Sequence, residues 1–471
     1  MKALLSWREG DDGLAPRQRI LAMMVLMSGS VMAVLNINMV NIALPTIARE
    51  LGVSSAASVW VINVYQLVGA ASMLTFAALG YRIGRYRLYI GGMVIFVLTS
   101  LACALAPNLA WLVAFRALQG LGAAAMMSIG PSLYRVIFPT RLLGRAMGLT
   151  ALTVSMAVAA GPALGGVILA LADWPWLFWV NLPFGVAAIW LAVRALPWED
   201  SHPHRFDVLG ALLSALGLGA FVVMLDSFAG AAETGLRSVA LLAVVSVVAM
   251  SAFVARQRRL EAPLLPLVIF REQRFTLAVI TSFFSFLAQA MAFVSLPFLF
   301  QSVQGYTPLE SAFLFTPWPL GVMIGAPLGG RLADRYAAPL ICAIGLALFI
   351  VGMALLALLG ESPATLDIIW RSAVCGLGFG LYQAPNNREM MGSLPLERSG
   401  SASGVLASVR TFGQSVGAAL VALVLSGIMT ADTENALSVS LALWLGMFSA
   451  MVALVTSTSR FALRRGRYSQ A

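Results

Sequence analysis

Of the chain's 471 residues, 60% are hydrophobic and only 11% are charged, against about a quarter charged in soluble domains. That composition excludes a soluble protein and marks an integral membrane protein. A net charge of +10 would fit a nucleic-acid binder if it formed one patch, but the basic residues lie scattered between apolar runs, as membrane topology requires.

A membrane-spanning helix needs about 20 apolar residues, so a series of them leaves no room for a soluble domain. The runs are long and continuous, which predicts an all-α polytopic protein and excludes a barrel of ten-residue dyads. After a basic tail ending near Arg19, apolar segments fall at about 20–46, 57–80, 88–106, 109–134, 143–170 and 175–195. They resume at about 207–228 and 238–255, then 275–301, 308–331, 338–359, 365–390, 400–428 and 437–460, giving 14 spans. The first has no small-residue cleavage site and reads as an uncleaved signal anchor.

Arginine marks alternate loops. One set holds Arg82, Arg85 and Arg87; Arg135, Arg141 and Arg145; Arg194 and Arg205; Arg256, Arg258, Arg259, Arg271 and Arg274; Arg331 and Arg335; Arg388 and Arg398. The other set carries Glu50, Asp173, Glu233, Glu310, Glu361, Asp432 and Glu434, with Arg49 and Arg237 as exceptions. This bias predicts that both termini and every basic loop are cytoplasmic, which needs an even number of spans. Cys103, Cys342 and Cys375 all fall in apolar runs without disulfide or metal spacing, and read as inert buried thiols. His202 and His204 form a loop pair that reads as solvated, so no metal and no cofactor is expected.

A weak internal repeat is present. Leu79-Gly80-Tyr81-Arg82-Ile83-Gly84-Arg85 is echoed by Gly330-Arg331-Leu332-Ala333-Asp334-Arg335-Tyr336, and Arg116 with Gly120 and Gly122 by Arg371 with Gly376 and Gly378. The expected organisation is a cytoplasmic tail (1–19), a six-helix bundle (20–200), two linking helices (201–260), a second six-helix bundle (261–460) and a cytoplasmic tail (461–471). Parallel repeats of this kind are characteristic of secondary transporters whose site lies between the halves.

Several segments carry a family likeness. Arg116, Gln119 and Gly120 stand in the fourth run, and Gly161-Pro162-Ala163-Leu164-Gly165-Gly166 in the fifth. Trp176-Leu177-Phe178-Trp179-Val180-Asn181-Leu182-Pro183-Phe184-Gly185 opens the sixth and Phe206-Asp207-Val208-Leu209-Gly210 the seventh. In this order the chain resembles the 14-span drug:proton antiporter branch of the major facilitator superfamily over nearly its whole length. The resemblance implies two six-helix bundles plus two extra helices, and multidrug efflux, with antibiotic resistance, from the bacterial inner or cytoplasmic membrane. Two departures stand out. Leu35-Asn36-Ile37-Asn38-Met39-Val40-Asn41-Ile42-Ala43-Leu44-Pro45 has Asn36 where that family carries an acid, and Tyr81 occupies the place of its acid in the loop after span 2. The later loop copy keeps Asp334.

Arg116 is a guanidinium in hydrocarbon and needs a cavity or a partner. Counting 1.5 Å per residue puts it about 10 Å deep and at a height comparable with Asn36, a neighbour that hydrogen-bonds but never titrates. It either locks helices together or faces the cavity and tunes substrate or proton affinity. Ala157, Gly161 and Gly165 form a small-residue stripe for close helix approach, and Pro162 predicts a kink near Val158; with Gly120 and Gly166 these residues are expected at the interface between halves. Arg82, Gly84, Arg85, Asp334 and Arg335 are candidates for a cytoplasmic latch, with a solvated loop as the plainer reading.

Asn36, Asn38, Asn41, Asn63, Tyr65, Gln66, Arg116, Gln119, Gln289, Gln383 and Asn387 are the candidate cavity or coupling residues. Asp226, Asp367 and Glu389 are the candidate proton-linked carboxylates, although Asp367 is positioned to pair with Arg371 four residues on. The leading expectation is export of a small organic compound by alternating access, coupled to protons. An uncoupled facilitator and a non-transporting sensor are the alternatives. No nucleophile–base set, metal cluster or phosphate loop points to an enzyme. With no acid in the cavity, neutral or anionic amphipaths are favoured over lipophilic cations. The expected partners are the small-molecule substrate, protons and the lipid bilayer; nucleic acid is excluded, a monomer is expected and no adaptor is indicated.

Overall fold

Each apolar run folds as helix, and among the described residues there is no strand. The computed structural model describes residues 13–196, 207–229, 236–260, 263–359, 363–394, 399–427 and 436–468. His202, His204, Arg205, Glu233, Glu361, Arg398, Asp432 and Glu434 lie outside them. So do the side chains of Tyr81, Arg141, Arg145, Asp226 and Asp334.

Spans 1 to 5 are Pro16–Glu50, Ser55–Ile83, Arg85–Ala104, Leu109–Ile137 and Thr140–Leu171. Span 6 combines Trp176–Trp179 with Asn181–Ala195; spans 7 and 8 are Val208–Ala229 and Leu236–Gln257. Span 9 is Gln273–Phe298, extended by a π-helical turn at Leu299–Val303, and span 10 combines Pro308–Phe315 with Pro317–Arg335. Spans 11 to 14 are Ala338–Ala357, Thr365–Gly392, Ser399–Gly427 and Ala436–Tyr468. Span 10 breaks where Pro317 cannot supply a helical donor. Span 5, by contrast, runs through Pro162 as one helix.

Thirteen of these spans are long and apolar enough to cross a membrane. The remaining one, Thr365–Gly392, has the length but is diluted by Asp367, Arg371, Gln383, Asn386, Asn387, Arg388 and Glu389. Its polarity is sheltered because it packs between spans 10 and 11. Glycine makes that packing close: a Cβ on Gly321, Gly325 or Gly329 would strike the backbone of span 12, and one on Gly376 or Gly380 the backbone of span 10.

Helix contacts gather spans 1–6 into one group and spans 9–14 into another. Spans 7 and 8 pack on each other, and span 7 rests on both span 2 and span 13, one from each group. Leu67, Val222 and Ala419 form the small apolar cluster at that junction.

The apolar core is divided unevenly between the two ends of the bundle. At the end away from the termini, one cluster crosses both groups, joining Met39, Ile42 and Phe178 to Leu296, Phe300 and Phe315. At the end near the termini the groups have separate clusters, one around Leu26, Phe96 and Ile137 and a smaller one around Ile269, Phe275 and Met390. Among the described residues, the far end is therefore sealed by shared apolar contact, and the near end is not.

The linking pair is tied at its near end by Asp207, whose side chain is only 3% exposed. One carboxylate oxygen accepts from Arg256 Nε at 2.6 Å and from the Gly210 N–H at 2.8 Å, capping span 7; the other accepts from Gln257 Nε2 at 2.8 Å. Burial pushes the Asp207 carboxyl up, but the hydrogen bonds from Arg256, Gly210 and Gln257 outweigh it and hold the group below the usual carboxylate range. A depressed folded-state pKa contributes stability above the unfolded value of about 3.9 and loses it as pH falls through the folded value. D207N is therefore expected to unfold at lower temperature than wild type at neutral pH. The two melting curves should converge as the pH is taken below about 4.

Candidate functional site

Arg116 stands on span 4, one helical turn before Gln119 and Gly120, and is fully buried. Gly120 lets span 4 approach span 2 so closely that a Cβ there would press on the Tyr65 backbone. Across that narrow gap Arg116 Nε donates to the Val61 carbonyl at 2.8 Å. Nη1 donates to Asn36 Oδ1 of span 1 and to Gln119 Oε1 at 2.6 Å. Gln119 passes the chain on, its Nε2 donating to Ser100 Oγ of span 3 at 2.6 Å. The guanidinium carbon lies 4.2 Å from the centre of the Tyr65 ring and 5.8 Å from that of Phe178.

One charged group thus joins spans 1, 2, 4 and 6, and through Gln119 span 3, with neutral oxygens and ring faces as its partners. No carboxylate pairs with it among the described residues. Arg116 Nη2 and Asn36 Nδ2 are buried without a hydrogen-bond partner. The structure brings Asn36, Tyr65, Arg116 and Gln119 together in a buried knot.

Other polar candidates cross between groups or stay within their own helix. Asn41 Nδ2 donates to the Phe293 carbonyl of span 9 at 2.6 Å, and Ser415 Oγ of span 13 donates to Asn63 Oδ1 of span 2 at 2.6 Å. Asn38 Nδ2 turns back to the Val34 carbonyl of its own helix. Gln66 and Gln289 are buried, and Gln383 and Asn387 half-buried.

Span 5 divides its glycines between two neighbours. A Cβ on Gly161 would meet Asn38, and one on Gly165 would meet Met39, both on span 1 of the same group. Gly166, about 100° further round the helix, faces Pro308, Leu309 and Ala312 of span 10 in the other group. The stripe expected between the halves therefore lies inside one of them, and the next residue makes the crossing.

Near the termini, Gly84 takes a φ of 96°, which favours glycine, and turns the chain from span 2 into span 3. Arg85 Nη1 reaches the Ser132 carbonyl of span 4 at 3.5 Å, whereas Arg82 and Arg335 are exposed. Of the carboxylates, Asp367 accepts from Arg371 Nη2 at 2.7 Å and from Trp370 Nε1 at 2.8 Å. Glu389 pairs at 2.9 Å with Arg460, whose side chain is wholly buried. That pair borders a cavity of about 250 Å³ at the near end, also lined by Arg274, Arg388 and Ser393.

Two groups of spans with a linking pair, unequal ends and a buried arginine knot are the build of a transporter, and sequence comparison agrees. The family model of the Major Facilitator Superfamily matches residues 26–418. The chain belongs to the major facilitator superfamily. It is 45% identical to the transporter YebQ of Escherichia coli strain K12, over 88% of this chain and 91% of that protein. It is 29% identical to the riboflavin transporter RibZ of Clostridioides difficile, covering 86% and 87% of the two chains. It is 31% identical to the multidrug resistance protein Stp of Mycobacterium tuberculosis, covering 89% and 78%. This member of the superfamily is a multi-pass protein of the bacterial inner membrane and a transporter, not an enzyme.

Two arrangements in this superfamily member were not singled out from sequence. Arg460 sits near the end of an apolar run, where a positive-inside residue is expected, so its burial against Glu389 leaves no sequence signal. Arg410 does leave one, a lone guanidinium well inside span 13, by the same criterion that identifies Arg116.

Proposed function

We propose that the protein exports small organic compounds by alternating access, with residues 20–200 and 261–460 as the two bodies that rock and 201–260 as the linking pair. The observation that carries this reading is the uneven sealing of the bundle, with one shared apolar cluster at the far end and separate ones at the near end. With the arginine-rich end and the tails 1–19 and 461–471 in the cytoplasm, this is an inward-facing arrangement, ready to load. Similarity to multidrug resistance proteins supports drug-like substrates and a part in antibiotic resistance. Similarity to a riboflavin transporter supports planar ring compounds in the same size range. The working unit is a monomer.

We assign proton coupling to Glu389. Among the described carboxylates it borders a near-end cavity, facing Arg460, Arg274 and Arg388, and protonation would release Arg460. A second reading, an uncoupled facilitator, is favoured by Asn36, which gives Arg116 no titrating partner.

Proteoliposomes with an imposed pH gradient distinguish the readings. The gradient is expected to drive accumulation in wild type and in N36D, and E389Q is expected to exchange substrate but ignore the gradient. Flux in wild type that is insensitive to the gradient selects the facilitator. No flux of any compound in folded protein removes the transport reading in favour of a sensor.

A further inference from the structure

Among the described residues, five arginines fall into two kinds. Arg371, Arg460 and Arg256 each hold a carboxylate, namely Asp367, Glu389 and Asp207. Arg116 and Arg410 do not, and differ from each other in access. Arg116 is shut inside its own group by five partners. Arg410 is half-buried on span 13, and its Nε is buried without a partner.

The setting of Arg410 is that of an anion receptor. Its Nη2 donates to Asn387 Oδ1 of span 12 at 2.7 Å, which fixes the plane of the guanidinium. The Phe286 ring of span 9 lies 5.0 Å below it. Further along, Phe283 and Phe412 meet at 5.8 Å, so the surface beside the charge is aromatic. Val409 packs on the small apolar cluster shared by spans 9, 12 and 13 toward the termini, and Phe286 and Phe412 on the larger cluster beyond, so Arg410 stands where the two meet. Its neighbour Thr411 meets Gly69 and Met73 of span 2, so the position lies at the near-end margin of the shared cluster, beside the contact between the two groups. A guanidinium in that position retains donors and an uncompensated charge in a low-dielectric wall, a state relieved by an incoming carboxylate or sulfonate that accepts in the guanidinium plane.

We propose that Arg410, oriented by Asn387 and backed by Phe286, is the recognition site for the anionic group of the transported compound, and that the substrates are aromatic organic monoanions. This deepens the export reading and rests on it for the word transported; the binding site itself does not. The charge supplies selection, and the aromatic floor accepts varied ring systems. Arg116, by this division, positions helices and does not touch the substrate.

The test uses a probe pair of one shape and two charges, naphthalene-2-carboxylate and naphthalene-2-carboxamide. Equilibrium binding is measured on the full-length protein in lipid nanodiscs. Wild type is expected to bind the carboxylate at least tenfold more tightly than the carboxamide. R410Q should bring the two affinities together, by weakening the carboxylate and leaving the carboxamide within twofold. R410K, which keeps the charge but loses the planar fork, should retain a smaller preference in the same direction, and it guards against misreading a folding defect in R410Q. The proposal is overturned if wild type binds the carboxylate no better than the carboxamide, including the case in which it binds neither, or if R410Q keeps the preference. A charge preference that depends on Arg410 in a protein that moves no compound across proteoliposomes would overturn the export reading alone and leave the binding site standing.

Discussion

Arg116→Gln is expected to abolish transport and to destabilise the protein by about 2–4 kcal/mol, the sum of opposed effects. The guanidinium satisfies Val61 O, Asn36 Oδ1 and Gln119 Oε1 from one buried position. Hydrogen bonds to a charged donor contribute about 1.5–3 kcal/mol each, and an acceptor left buried and unpaired costs about 1–3 kcal/mol. Glutamine is too short to reach all three and has no charge to place over the Tyr65 ring. Against this, removing a charge that has no buried counter-ion returns several kcal/mol of desolvation. The loss prevails because three acceptors and a ring face on spans 1, 2 and 4 are abandoned together.

Thermal unfolding in detergent, alongside vesicle transport, reads both effects. A full-strength R116Q melting at the wild-type temperature would show that the knot carries nothing. N36D offers the converse check. It places a carboxylate against the one member of the knot that lacks a charge partner, so it is expected to raise the unfolding temperature, and to do so less as the carboxylate is protonated.

The spans were legible because membrane solvent leaves a strong signature: long apolar runs with arginine at alternate loops. Span 12 was legible by length and position, although its polar residues keep it from passing as apolar. Arg116, Gln119 and Asn36 were legible as a set because helix rise places positions on spans 1 and 4 at one height, and the structure joins them. Less was legible in span 5. Sequence spacing identifies Gly161 and Gly165 as a close-packing face, but which helix they meet depends on the tilt and rotation of a whole bundle, which four-residue spacing does not encode. The glycine seam between spans 10 and 12 is a similar case. Gly321, Gly325 and Gly329 have the right spacing, but they matter because Gly376 and Gly380 come to the opposite face. Glu389–Arg460 was illegible because both residues stand near the arginine-rich ends of their spans, where charged side chains read as solvated.

Gly166→Leu is expected to leave the protein folded and to shift it toward the state open at the far end. In the sealed arrangement Gly166 lies against Pro308, Leu309 and Ala312 of the opposite group. A leucine there must push spans 5 and 10 apart, and overpacking a tight contact costs about 1–3 kcal/mol. That cost falls only on the sealed state, because opening the far end separates the two spans. A differential of this size changes the ratio of the two states by about 5–150-fold. Gly165→Leu supplies the contrast. It collides with Met39 on span 1, which moves with span 5 in both states, so its cost should appear as lost stability with no change in the ratio. Spin labels at L105C and L358C, both exposed far-end positions on different groups, report the separation without interference from the three native cysteines, which are buried. A longer-distance population is expected in G166L and not in G165L. Equal distance distributions in the two variants would place the seal elsewhere along the shared apolar cluster. Transport should follow the distances: G166L, stalled on one side of the cycle, should bind substrate from the far side and turn over slowly.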